Sequence, residues 1–271
     1  MTNPRLIIEP EELESLLHDP TVVTVDLCKA KQYRKAHIPG AHFINYPDII
    51  HIEKPVMGLL PPDEPFSKMV SSLGITADSH VIAYDDEGGG CASRFIWTLH
   101  VFGHTKTSLL NGGLFSWANE GHPLTKEIPE KIASNYTLVN TGNYTVDSSY
   151  ILQRLDDQHM ALLDARSLPE YIGKKKYASK GGHIPGAKHY EWTEAMDRTH
   201  NLRLLPSESI QQKLDQLGLT KDKEVIVYCQ THHRSAFSYV MLRALGYEDV
   251  KGYPGSWSEW GNRDDLPVST D

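Results

Sequence analysis

The sequence predicts an α/β protein of two homologous domains, each a mainly parallel sheet with helices on both faces. Three observations carry this. Four blocks recur in the same order, each shifted by roughly half the chain: HIPGAHF at His37 and HIPGAKH at His183, LGIT at Leu73 and LGLT at Leu217, VIAYD at Val81 and VIVYC at Val225, GGLFSW at Gly112 and GSWSEW at Gly255. Chance similarity does not hold register in this way, and the period is far too long for a solenoid. Within each copy, compact apolar strands alternate with helical patterns, which implies a parallel sheet covered on both sides. Finally, 271 residues are enough for two ordinary domains. The reading assigns residues 1–125 to the first, 126–147 to a linker and 148–271 to the second.

Each copy opens with a short helix, expected at Glu11–Leu17 and Tyr150–Leu155. A buried strand follows, Val22–Asp26 and Ala161–Asp164. A polar stretch then runs into HIPGA, where Pro–Gly marks a turn. The next helix carries Phe66, Met69, Val70 and Leu73 on one face and stops at Gly74; its counterpart carries Ile210, Leu214 and Leu217 and stops at Gly218. VIAYD and VIVYC are the next strands, and each leads through a loop into a helix. In the second copy, Ala236, Phe237, Val240, Met241, Ala244 and Leu245 form its apolar stripe, closed by Gly246. A short strand and a Gly/Trp-rich segment end each copy. The linker is polar, contains Pro129 and shows no helical period.

Composition narrows the function. Hydrophobic residues make up 39% and charged residues 23%, as in an ordinary globular protein. The net charge is −8 at pH 7, which argues against a nucleic-acid partner. No run of ~18 apolar residues suggests a membrane span, and the first residues lack the pattern of a secretory signal. Three widely spaced cysteines suit a reducing compartment, so the cytoplasm is the expected location.

The chemistry centres on VIVYCQTHHRS, Val225 to Ser235. A strand that ends on Cys229 and hands over to a helix puts a thiol at that helix's N-terminus. The partial positive charge there, together with Arg234, favours an exposed thiolate. The first copy is an internal control, with Asp85 where Cys229 stands, so packing does not require a cysteine at this position. One catalytic and one inactive domain are expected. Cys91 lies off the aligned position and Cys28 follows a strand, partly exposed; both read as structural. His232 and His233 could be metal ligands beside Cys229, but adjacent imidazoles do not converge easily on one ion. They read instead as parts of a loop acting as a unit, with at least one ring facing solvent. An arginine at a helix N-terminus implies an anion nearby, so Arg234 points to an anionic ligand or to the thiolate itself. Arg166, Lys174, Lys175 and Lys176 lie in DARSLPEYIGKKK; the three lysines read as a solvated run and as lesser candidates for steering an anion.

These residues resemble the rhodanese family of sulfurtransferases. The resemblance rests on the repeated HIPGA, DAR in the second copy, the strand–cysteine loop and the closing GSWSEW, and it covers nearly the whole chain. CQTHHR is similar to the loop of tandem-domain bacterial thiosulfate sulfurtransferases. The resemblance implies two rhodanese-like domains, of which only the second is catalytic. Cys229 would carry a persulfide, and Gln230, Thr231, His232, His233 and Arg234 would bind the substrate through amides facing the sulfur. The thiolate would take the outer sulfur of thiosulfate, sulfite would leave, and cyanide or a thiol would accept the sulfur, with ping-pong kinetics. The implied partners are a small anionic donor and a thiophilic acceptor, a protein acceptor included, with no metal or organic cofactor. The family's mercaptopyruvate enzymes carry a Gly-rich loop after the cysteine and tend to have an arginine where Glu170 stands; this chain has neither, which leaves Arg234 and the loop to hold the donor. Mercaptopyruvate as donor and a persulfide carrier remain the alternatives. A cysteine phosphatase would need C-x5-R, and Cys229 to Arg234 is C-x4-R, one residue shorter.

Overall fold

The computed structural model describes residues 4–130 and 132–270. The first copy contains β1 (Ile7–Ile8), α1 (Pro10–Leu16), β2 (Val22–Asp26), α2 (Ala30–Lys35) and β3 (His42–Phe43). A hairpin of β4 (His51–Glu53) and β5 (Val56–Leu59) comes next, then α3 (Asp63–Ser72), β6 (His80–Tyr84), α4 (Gly90–Val101), β7 (Thr107–Leu110) and α5 (Gly113–Asn119). The second copy contains α6 (Ser148–Leu152), β8 (Met160–Asp164), α7 (Leu168–Tyr171), β9 (Lys188–His189) and a hairpin of β10 (Met196–Asp197) and β11 (Arg203–Leu204). It ends with α8 (Ser207–Gln216), β12 (Glu224–Tyr228), α9 (Arg234–Ala244), β13 (Val250–Gly252) and α10 (Ser256–Trp260).

Two parallel sheets result. One has the order β1-β7-β6-β2-β3 and the other β13-β12-β8-β9. Their registers correspond: Asp26 pairs with Tyr84, and Asp164 with Tyr228. All of β12 is buried, as is β6 after its first residue, as central strands covered on both faces must be. The repeated HIPGA segment is tied down alike in both copies. The backbone N–H of Ile38 donates to the Tyr84 hydroxyl and that of Ile184 to the Tyr228 hydroxyl, each at 3.1 Å. His37 stacks on Tyr33 and His183 on Tyr171, with ring centroids 3.9 and 3.7 Å apart.

The chain divides into two compact units that are not contiguous in sequence. One comprises Met1–Ile49, Pro61–Thr141 and Met196–Leu204; the other comprises Ile50–Leu60, Gly142–Ala195 and Leu205–Asp271. Each sequence copy therefore lends a short segment to the other's unit. The linker is not a free tether. The N–H groups of Ser134 and Thr141 donate to the carbonyls of Ser71 and Val101, and Val146 donates to Gly252 in the second unit. The first helix of the second copy begins at Ser148, earlier than Tyr150, because the Asp147 side chain accepts the Tyr150 N–H and caps it there. The Gly/Trp-rich segments become α5 and α10. The amide of the second residue of each lands on an equivalent carbonyl: Leu114 N–H on Asp85, and Trp257 N–H on Cys229, both at 2.9 Å. Among the described residues, no helix is long and apolar enough to cross a membrane.

Candidate active site

β12 ends at Tyr228, and Cys229 begins the loop that leads into α9. The Trp257 N–H holds the Cys229 carbonyl, the Ser258 N–H holds the Gln230 carbonyl at 3.0 Å, and the Ser256 hydroxyl accepts the Cys229 N–H at 3.3 Å. With its carbonyls drawn onto α10, the loop turns N–H groups toward the sulfur. His232 takes φ of 54° to complete the curl, a conformation unusual for a side chain without local compensation.

The thiol is not exposed, as the sequence reading expects it to be. Cys229 has 0% of its surface accessible. Burial alone would raise its pKa. The charge of Arg234, the hydroxyl and backbone N–H of Ser235 and the backbone N–H of Thr231 outweigh burial and hold it below the ordinary thiol value. The sulfur is thus buried, yet surrounded by groups that favour its thiolate form. Cys28 and Cys91 behave in the opposite way. Burial and neighbouring acidic groups raise both, Asp26 first for Cys28 and Asp85 first for Cys91. All three cysteines are free. Cys28, expected to be partly exposed, is buried in the first copy's apolar core beside Ile38 and Tyr84, its N–H donating to Asp26 at 2.7 Å.

The other predicted residues divide by position. Thr231 supplies its amide to the sulfur. His232 is fully buried, with Nδ1 2.8 Å from Ser235 Oγ. If the single Ser235 proton goes to the sulfur, His232 Nδ1 carries the proton of this second bond. The expectation that one imidazole faces solvent is therefore not met by His232; His233 is half-buried, its ring edge-on to Trp192 at 5.8 Å. Gln230 flanks the cradle, and its side-chain amide donates to the Tyr177 carbonyl at 3.2 Å.

Arg234 makes a two-pronged ion pair with Glu170, both contacts at 2.8 Å. Glu170 is 3% exposed and also accepts the Ser167 hydroxyl and N–H, the capping box of α7. Although burial opposes its charge, the hydrogen bonds from Arg234 and Ser167 take its carboxyl down to about 2. The glutamate does more than leave a positive charge out of the site. It fixes the guanidinium that faces Cys229. Arg166, in the same segment as the three lysines, is 1% exposed and engaged with Asp164 and the Gly182 carbonyl. Its guanidinium lies 4.4 Å from the centre of the Trp257 ring. It is a structural cation, paired with Asp164 and packed on the Trp257 ring of α10.

Asp85 follows β6 as Cys229 follows β12. Its carboxylate is fully buried and accepts three backbone N–H groups, from Glu87 at 3.0 Å, Gly89 at 2.8 Å and Ala92 at 2.9 Å. Burial and the charge of Glu87 push it up to about 6, against the pull of these amides. The first copy therefore closes its amide cradle on an anion that is part of the chain.

Sequence reasoning missed Ser235, Ser256 and Ser258, and it placed Glu170 without seeing its bond to Arg234. The serines of GSWSEW were visible, but nothing in the sequence shows that α10 folds back onto the cysteine loop.

An amide-lined cysteine loop between a parallel strand and a helix, in one of two like domains, defines an α/β protein built for thiolate chemistry. The rhodanese-like domain matches residues 9–120 and 147–263, and the chain belongs to that family. It is similar to thiosulfate sulfurtransferases of Azotobacter vinelandii and Pseudomonas aeruginosa, 45% and 43% identical over 97% of this chain and 96% of each relative. It is also similar to the sulfur carrier protein TtuD of Thermus thermophilus, 32% identical over 98% of this chain and 97% of the relative. Among solved structures, YnjE superposes with a TM-score of 0.89 at 22% identity, covering all of this chain and 70% of its own, which shows the shared fold.

Proposed function

We propose that the protein is a thiosulfate sulfurtransferase that works through a persulfide on Cys229. The observation that carries this is the buried Cys229 sulfur at the end of β12, where the Thr231 amide, the Ser235 hydroxyl and amide and the Arg234 charge all favour its thiolate. The near full-length similarity to proteins named thiosulfate sulfurtransferase supports it. The Cys229 thiolate attacks the outer sulfur of thiosulfate. The bond between the two donor sulfurs breaks, and its electron pair leaves with sulfite. The new persulfide carries the negative charge that the thiolate brought, so the same amides and the Ser235 hydroxyl serve both states, and little reorganisation is needed. Cyanide or a thiolate then attacks the outer sulfur, and the Cys229 thiolate leaves. No metal or organic cofactor enters these steps.

In this reading residues 148–271 form the catalytic domain, residues 1–125 an inactive one and 126–147 the linker. Asp85 supports the assignment, since its carboxylate already fills the cradle and cannot accept sulfur. Gln230 to Arg234 form the donor-binding loop. Glu170 keeps Arg234 in place, and the exposed run Lys174–Lys176, whose neighbour Tyr177 bonds Gln230, gives the surroundings a positive rim. Three free cysteines fit a reducing cytoplasm. A second reading, a persulfide carrier that serves a protein acceptor, is favoured by the likeness to a sulfur carrier protein and uses the same Cys229.

Side-by-side rates with thiosulfate, mercaptopyruvate and an aryl phosphate test the reading. The proposal expects thiosulfate to be turned over fastest and the phosphate not at all. Faster turnover of mercaptopyruvate would reassign the donor. Sulfur uptake without transfer to small acceptors would favour the carrier.

A further inference from the structure

The hairpin β4–β5 lies in the first sequence copy, yet Ile50–Leu60 belongs to the compact unit that contains Cys229. Its second strand packs on α10. There the Met57 N–H donates to Ser258 Oγ at 3.2 Å, and the Ser258 N–H in turn holds the Gln230 carbonyl. The next residue, Gly58, is buried against the cysteine loop. A Cβ placed on Gly58 would lie 2.1 Å from the carbonyl oxygen of Thr231, 2.6 Å from its carbonyl carbon and 2.9 Å from its Cα. All three are backbone atoms, so no side-chain rotation relieves the clash. Gly58 is not in the left-handed region; close approach to the loop, not turn geometry, demands a glycine here.

We propose that the Ile50–Leu60 hairpin is a positioning element of the sulfur site: Gly58, lying on Thr231, holds the cysteine loop in the curl that aims its amides at Cys229. The inference rests on the reading of Cys229 as the sulfur-carrying thiolate. The loop has reason to need such a buttress. His232 sits at φ of 54°, and such conformations persist where the surroundings over-determine them. α10 restrains the Cys229 and Gln230 carbonyls, and the hairpin restrains the residue after them. The first sequence copy is then more than an inactive duplicate, since it supplies part of the wall of the site in the second.

The test is Gly58→Ala in the full chain, with Glu53→Ala as the control on an exposed position of the same hairpin. The pH dependence of iodoacetamide alkylation is followed at the Cys229 peptide by mass spectrometry, beside sulfur uptake from thiosulfate. A displaced Thr231 amide should raise the apparent Cys229 pKa by about one unit, which moves the alkylation profile up in pH by that amount and slows alkylation about ten-fold at pH values below the wild-type midpoint. Sulfur uptake should slow with it, and Glu53→Ala should match the wild type. A purely structural glycine would change thermal stability and leave the pH profile in place; a wild-type profile and uptake in Gly58→Ala overturn the proposal. If Gly58→Ala does not fold, Ser258→Ala, which removes the acceptor of the Met57 N–H but keeps the backbone donor to Gln230, is judged by the same criteria. If the wild type itself takes no sulfur at Cys229, the sulfurtransferase reading fails, while the alkylation profiles still decide the role of Gly58.

Discussion

Replacing Glu170 with glutamine tests whether the Arg234 guanidinium is held by a charge or merely by packing. Glu170 accepts four hydrogen bonds, two from Arg234 and two from Ser167, and its side chain is 4% exposed. Its carboxyl is lowered from 4.5 to about 2. Because the folded value lies below the unfolded one, the ionised form stabilises the fold. That contribution is complete above the unfolded pKa and fades as pH falls through the folded one. The shift corresponds to ~3 kcal/mol at neutral pH and about half that near pH 3. Breaking a buried pair typically costs ~3–5 kcal/mol, which is compatible. Glutamine keeps the shape and loses the charge, so the variant should be less stable by ~3 kcal/mol at pH 7, and the gap should narrow in acid. Urea unfolding of both proteins from pH 7 down to pH 3 measures it. An unchanged midpoint at pH 7, or a deficit as large at pH 3 as at pH 7, would refute the reasoning.

Arg234→Lys keeps a charge but loses the two-pronged geometry, so the Cys229 alkylation profile should move to higher pH and donor KM should rise, with no such change in the exposed control Lys68→Ala. Asp85→Ala strips three amides, two of them buried, of their acceptor and should cost at least ~1–3 kcal/mol in chemical unfolding, yet leave sulfur loading at one per chain. Arg166→Met leaves Asp164 as a buried carboxylate without its cation, and a loss of ~3–5 kcal/mol is expected; urea unfolding would detect it.

Much of this was readable in the sequence because the repeat doubles every signal. Val22–Asp26 was legible residue for residue as a strand, since a β-branched run between turn residues has one simple solution. The identity of Cys229 as the odd member of a pair came from comparing VIAYD with VIVYC. What stayed hidden depends on contacts distant in sequence. The bond from Glu170 to Arg234 spans 64 positions, and no periodicity relates them. β1 has two residues, too short for any pattern, and is held by pairing with β7. The lowered thiol pKa was anticipated from the helix terminus and the arginine, but its burial was not. Exposure depends on how α10 and the hairpin cover the loop. Gly58 looks like any strand glycine until Thr231 lies beside it.

Where the sulfur goes decides the role of Cys229 most directly. Intact and peptide mass spectrometry after incubation with thiosulfate should find one added sulfur per chain, on Cys229, with none on Cys28 or Cys91 and none in Cys229→Ser. Sulfur retained by the Cys229→Ser protein, or a wild type that turns over thiosulfate without ever carrying sulfur on Cys229, would contradict it.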